Sequence, residues 1–164
     1  MIRSTAMVKQ SYRGEEIPAY TTDLGHCYKG KSEQLLNGPL MKELEGQVQL
    51  ILTSPPFPLN KKKQYGNLQD KEYIEWLASF APLFARLLTP DGSIVLELGN
   101  AWERGHPVQS LLPIKTLISF LEHPDVELCL CQEFICHNPS RLPSPIQWVN
   151  IERCRVTDSY TRLW

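Results

Sequence analysis

The sequence predicts an α/β fold in which helices alternate with the strands of a parallel sheet. Three observations carry this. Val48-Gln49-Leu50-Ile51-Leu52 and Ile94-Val95-Leu96-Glu97-Leu98 are short, nearly continuous apolar runs, the pattern of parallel strands covered on both faces. Between them Tyr73, Trp76, Leu77, Phe80, Phe84, Leu87 and Leu88 recur at helical spacing. The chain has 164 residues, 42% hydrophobic and 21% charged, which suits one globular domain with a substantial core and argues against disorder.

Taken in order, residues 1–18 are polar and aperiodic and read as a loose arm, leaving 19–164 as the folded part. Tyr20 to Tyr28 holds two short strands around Asp23-Leu24-Gly25. Ser32 to Leu44 is interrupted by Asn37-Gly38-Pro39, giving a short helix and a turn. The strand from Val48 ends at Ser54-Pro55-Pro56, because prolines cannot donate to a ladder. Asn60 to Asn67 is a polar loop containing Lys61-Lys62-Lys63. Asp70 is placed to cap the helix that follows, with Glu72 and Glu75 near its positive end, and Pro82 should kink it. Pro90-Asp91-Gly92 reads as a turn, and Gly99-Asn100 closes the second strand. Residues 110–122 form another amphipathic helix, weakened at its start by Pro113. Val126 to His137 fits one strand or a hairpin, and Pro139, Pro143 and Pro145 then impose an extended loop.

Lys plus Arg is 17 and Asp plus Glu is 18, so the chain is neither a basic nucleic-acid coat nor an acidic tail protein. Charge is nevertheless segregated. Residues 89–136 hold two basic and seven acidic side chains, whereas four arginines against two acids follow residue 137. The five cysteines, at 27, 129, 131, 136 and 154, include no C-x-x-C pair and read as reduced, scattered thiols with no metal site. The N-terminus lacks an apolar signal core, and the longest candidate for a span, Val48 to Asn60, carries four polar residues and three prolines. The expectation is a cytoplasmic protein with no membrane span.

In α/β sheets ligands sit beyond the carboxyl ends of the strands, and Thr53-Ser54-Pro55-Pro56-Phe57 lies there. A hydroxyl, two prolines and an aromatic at a strand end present backbone carbonyls beside a side-chain acceptor and a flat stacking surface. An exocyclic amino group on a planar base fits such a receptor, since a carbonyl and a hydroxyl can accept its two N–H bonds while the ring stacks.

These residues resemble motif IV of the amino-methylating DNA methyltransferases in its cytosine-N4 form; the adenine-N6 enzymes usually carry Asp in place of Ser54. Lys61 to Asn67, Pro90-Asp91-Gly92-Ser93, Asn138 to Pro145, Gln147-Trp148-Val149-Asn150 and Arg153 to Tyr160 extend the resemblance to the β-group enzymes of restriction–modification systems, over roughly residues 20–164. The resemblance implies a Rossmann-like fold dependent on S-adenosylmethionine (SAM), with circularly permuted motif order, acting on double-stranded DNA by base flipping. It implies that Ser54 and the Pro55 carbonyl, with Pro56, orient the cytosine amine and that Phe57 stacks on the flipped base. It also implies that Thr53, Gly30 and Ser32 lie on the cofactor side, and that Lys61, Lys62, Lys63 and Arg141 meet phosphates. Arg153 and Arg155 are further phosphate candidates, and His137 falls where the family tends to place base-pocket residues.

Two features depart from the family. β-group enzymes carry a SAM-binding Phe-x-Gly-x-Gly segment after the target-recognition region, but among nine glycines here no Gly-x-Gly occurs. Gly30-Lys31-Ser32 stands where the family has Gly-Asp, and lysine cannot accept the cofactor's hydrogen bond. The resemblance therefore describes motifs IV to VIII of an incomplete methyltransferase domain, whether truncated, split between two genes or decayed, with an exposed apolar sheet edge and, if split, a second chain carrying the glycine loop as partner. Adenine-N6 methylation, or a non-catalytic fragment binding DNA or a partner chain, are the competing expectations.

Overall fold

The computed structural model describes residues 17–56, 70–99, 108–139 and 160–164. The chain divides into two compact units, residues 1–43 and 44–164.

In the first unit, β1 (Tyr20–Thr22) and β2 (Gly25–Cys27) form the expected hairpin. The Thr22 hydroxyl accepts from the Leu24 amide at 3.3 Å and donates to the Gly25 carbonyl at 3.2 Å, which ties the tip. The segment that follows makes two short helices, α1 (Ser32–Leu36) and α2 (Pro39–Glu43), where a helix and a turn were expected. Pro39 opens α2 because an initial residue has no intrahelical use for its missing N–H.

The second unit starts with β3 (Val48–Thr53), which runs parallel to β4 (Leu88–Gly99). Gly46 enters the strand at φ +69°, a conformation that favours glycine. Between the strands the helical run splits into α3 (Asp70–Ala78) and α4 (Ala81–Leu87). The expected kink is thus a full break, and Pro82 occupies the first turn of a new helix, where it is tolerated. Asp70 begins α3 itself, one position inside the expected cap. α5 (Leu112–Leu121) also carries its proline in the first turn, so Pro113 helps to start the helix it was expected to weaken.

Pro90-Asp91-Gly92 is not a turn between elements. It lies in a bulge of β4, since Val48 pairs with Leu88 but Leu50 already pairs with Ser93. Gly92 is required there. A Cβ would lie 2.9 Å from the Val48 carbonyl oxygen and 2.9 Å from the Leu88 side chain.

β5 (Phe134–His137) is the only regular element of the apolar stretch from Val126 to His137. β6 (Tyr160–Leu163), which the sequence did not announce, inserts between β4 and β5 and is antiparallel to both. The sheet order is β3-β4-β6-β5, a mixed sheet where a parallel one was expected.

The core lies on one side of this sheet. Leu96 and Leu98 point into it from β4, Tyr73, Leu77, Phe84, Leu87, Leu117 and Phe120 come from α3, α4 and α5, and Phe80 comes from the cap before α4. Neighbouring rings run from Tyr73 through Trp76, Phe80 and Phe84 to Phe120 at centroid separations of 5.2–6.1 Å, with Trp76 and Phe80 edge-to-face. Thr116 is fully buried and donates to the Leu112 carbonyl at 2.8 Å, satisfying its hydroxyl within the helix. The opposite face is uncovered. Leu50 is 57% and Leu52 66% exposed, so the expectation that β3 is covered on both faces fails on this side.

Candidate active site

The carboxyl end of the sheet carries Thr53, Ser54, Pro55 and Pro56, whereas Gly30 and Ser32 lie in the other unit. β3 ends at Thr53, as the following prolines require. Ser54 and Pro56 are exposed and Pro55 is buried. A residue before proline is held extended, so the strand's alternation carries through Ser54. The register gives it a neighbour. Thr53 pairs with Leu96, so one further step brings Ser54 level with Glu97 and Pro55 level with the buried Leu98. Ser54 and Glu97 therefore share the uncovered face with Leu52 and Val95.

Glu97 is half-buried and accepts a hydrogen bond from the Thr161 hydroxyl at 3.1 Å, across from β4 to β6. Because β6 is antiparallel to β4 and to β5, its first residues and the last residues of β5 meet at this same end. Ser54, Glu97, Thr161 and the exposed His137 thus belong to one rim of the sheet. Glu97 and Thr161 were not singled out from the sequence. The signal for Glu97 was legible all the same, since it is the one charged residue in the run Ile94 to Leu98.

Thr53 is half-buried at the strand end, while Gly30 and Ser32 belong to the other unit. A Cβ on Gly30 would lie 3.2 Å from Leu35 side-chain atoms, so this glycine makes room for α1 packing. Lys31 precedes α1 without a side-chain capping bond. These cofactor-side residues fit SAM poorly, because they present neither a glycine turn nor an acidic acceptor for the adenosine. Phe57, Lys61, Lys62, Lys63, Arg141, Arg153 and Arg155 lie outside the described residues, as do Cys154 and residues 1–16 of the expected arm.

Cys136 also lies at this rim, opposite Thr161. Cys27, Cys129, Cys131 and Cys136 are free thiols, and no cluster of three or more metal-ligating side chains occurs among the described residues. An open hollow of about 360 Å³ between α3 and α5 is lined by Ala78, Lys115, Ile118, Ser119, Glu122 and His123 and contains no expected site residue. No helix among the described residues is long and apolar enough to cross a membrane.

Residues 48–150 match the model of the N6/N4 methyltransferase family, described as DNA methylase, and the chain belongs to that family. Its sequence is 42% identical over 148 residues to the type II methyltransferase M.PvuII of Proteus hauseri, covering 90% of this chain and 42% of that protein. The fold superposes on the solved PvuII DNA methyltransferase (cytosine-N4-specific) with a TM-score of 0.74 and 40% identity, covering 93% of this chain and 52% of that one. The chain thus spans about half the length of the relatives it matches.

Proposed function

We propose that this chain carries the acceptor-base site of a DNA methyltransferase of a restriction–modification system. In this reading residues 19–164 are the catalytic part. The enzyme methylates the N4 amino group of a cytosine flipped out of double-stranded DNA, in the cytoplasm of a prokaryote. The observation that carries it is Ser54-Pro55-Pro56 directly after β3, whose last residue Thr53 pairs with Leu96, in a chain similar to a cytosine-N4-specific enzyme.

SAM would supply the methyl group on a sulfonium centre; by resemblance Thr53, Gly30 and Ser32 would each fall on its side, and most of the adenosine contact would fall to a segment bearing the glycine loop. The rest of the chemistry belongs to the acceptor side. The Ser54 hydroxyl and the Pro55 carbonyl receive the two amine N–H bonds and fix the nitrogen lone pair in line with the methyl group. Were SAM bound, its sulfonium S–C bond would break as the N–C bond forms, leaving S-adenosylhomocysteine, and these oxygens would stabilise the positive charge on nitrogen. Ser54 then takes the amine proton and hands its own to Glu97, whose carboxylate Thr161 holds in place. Phe57 stacks on the flipped ring, and Lys61, Lys62, Lys63 and Arg141 neutralise neighbouring phosphates.

The test is transfer of labelled methyl from SAM to duplex DNA by this chain combined with the SAM-binding part of its PvuII relative, followed by nucleoside analysis. N4-methylcytosine is the expected product, and N6-methyladenine would overturn the assignment. Ser54→Ala should lower the rate on the order of 100-fold while changing stability by less than about 1 kcal/mol, since its side chain is exposed. Full activity in Ser54→Ala would refute the proposed roles.

A further inference from the structure

α5 packs Leu117 and Phe120 into the core and turns another face outward. Leu111, Lys115, Ile118 and Glu122 follow one another on that face at steps of four, three and four, the spacing of a single helical stripe, and all four are exposed. The stripe borders the hollow between α3 and α5, whose lining includes the small residues Ala78 and Ser119. Its two charges have opposite sign and lie two turns apart, about 10 Å along the axis, too far to pair with each other. Among the described residues neither has an ion-pair partner, and the neighbouring His123 is engaged by Asp125 at 3.9 Å. A lone base and a lone acid on either side of Ile118 match the same stripe read in reverse.

We infer that this face of α5 is a homodimer interface, in which a second copy of the chain packs its own α5 antiparallel about a two-fold axis beside Ile118 and Ser119. The arrangement sets Lys115 of each copy level with the partner's Glu122, so one symmetry operation matches both charges twice. Ile118 enters the partner's hollow next to the axis, where Ala78 and Ser119 leave room in a space of about 360 Å³. Parallel packing of the same faces would oppose like charges instead. A foreign helix would have to reproduce an acid and a base at this spacing, whereas the chain's own stripe supplies them when reversed. α5 lies on the covered side of the sheet, so the contact leaves Ser54 and Glu97 of each copy open. A helix of 10 residues is about 15 Å long and buries less than the ~800 Å² per partner of a standard interface. The dimer should therefore be weak, with a dissociation constant on the order of 10 μM.

The experiment follows self-association of the full chain by sedimentation equilibrium and combines it with charge reversal. Lys115→Glu and Glu122→Lys should each weaken the dimer at least ~10-fold, because two-fold symmetry sets every reversed charge against a like one twice. An equimolar mixture of the two single variants should form a heterodimer near the original affinity. The double variant Lys115→Glu/Glu122→Lys should likewise recover the homodimer. Ile118→Glu should weaken it roughly 100-fold while the circular dichroism stays native, since this side chain is 47% exposed. Leu50→Glu/Leu52→Glu, on the opposite side of the sheet, should leave the affinity unchanged. A chain that stays monomeric at millimolar concentration, single reversals without effect, a mixture that fails to associate, or self-association governed by Leu50 and Leu52 would each overturn the inference.

Discussion

The two faces of one strand differ sharply. On β4, Leu96 and Leu98 are 2% and 1% exposed, whereas Val95 and Glu97 between and beside them are only half-buried. The same contrast separates the aromatic row of α3, α4 and α5 from Leu50 and Leu52. An apolar run records what a strand is made to touch. Among the described residues the covered face has that contact, and the uncovered face has much less of it. Stability should therefore reside mainly on the covered side of the sheet.

The largest expected effect is on the covered side. Phe84→Ala, which removes a ring touching Phe80 and Phe120, should cost about 3–5 kcal/mol in urea-unfolding free energy. A loss of the size expected for a surface site would break the comparison.

Tyr73 gives a pH-dependent version of the same test. Burial pushes its hydroxyl up to about 12, and that hydroxyl has no hydrogen-bond partner among the described residues. The unfolded chain releases this proton near pH 10, earlier than the folded one. The stabilisation is thus complete below pH 10 and is lost as pH rises towards 12, by on the order of 2–3 kcal/mol. Denaturant titrations between pH 9 and 12 should show this fall, and Tyr73→Phe should remove its contribution to the slope.

Smaller still is Gly92→Ala. Overpacking against Val48 and Leu88 should cost about 1–3 kcal/mol and lower the thermal midpoint. On the uncovered side, Leu52→Ser should change the stability of the isolated chain by no more than about 0.5 kcal/mol. A cost near that of Phe84→Ala would mean that Leu52 already has a partner within the chain.

Much of the architecture was readable because it is local. The β1–β2 hairpin, the break at Asn37-Gly38-Pro39, the end of β3 at its prolines and the core-facing spacing of Tyr73, Leu77, Phe80 and Phe84 all follow from neighbouring residues. The failures are of two kinds. Pro82 and Pro113 were read as damage to helices, because the period of a helix does not say where it starts. β6 and the mixed sheet went unseen because four residues gain strand character only from partners far along the chain. Ser54 was legible from its prolines, whereas Glu97 acquires its place only through the Thr53–Leu96 pairing.

The insertion of β6 also fixes an order of events in folding. β5 reaches the sheet only through β6, and β6 reaches it by pairing with β4, where Leu96 and Trp164 exchange both backbone hydrogen bonds. Residues 88–121, by contrast, join β4 to α5 over a short separation. β4 and the helices can assemble first, from local contacts. Closing β6 onto β4 must gather a far longer segment, at greater entropic cost and a slower rate. β5 cannot take its place in the sheet until that closure is made. The last strand to be read from the sequence thus governs when the previous one becomes native.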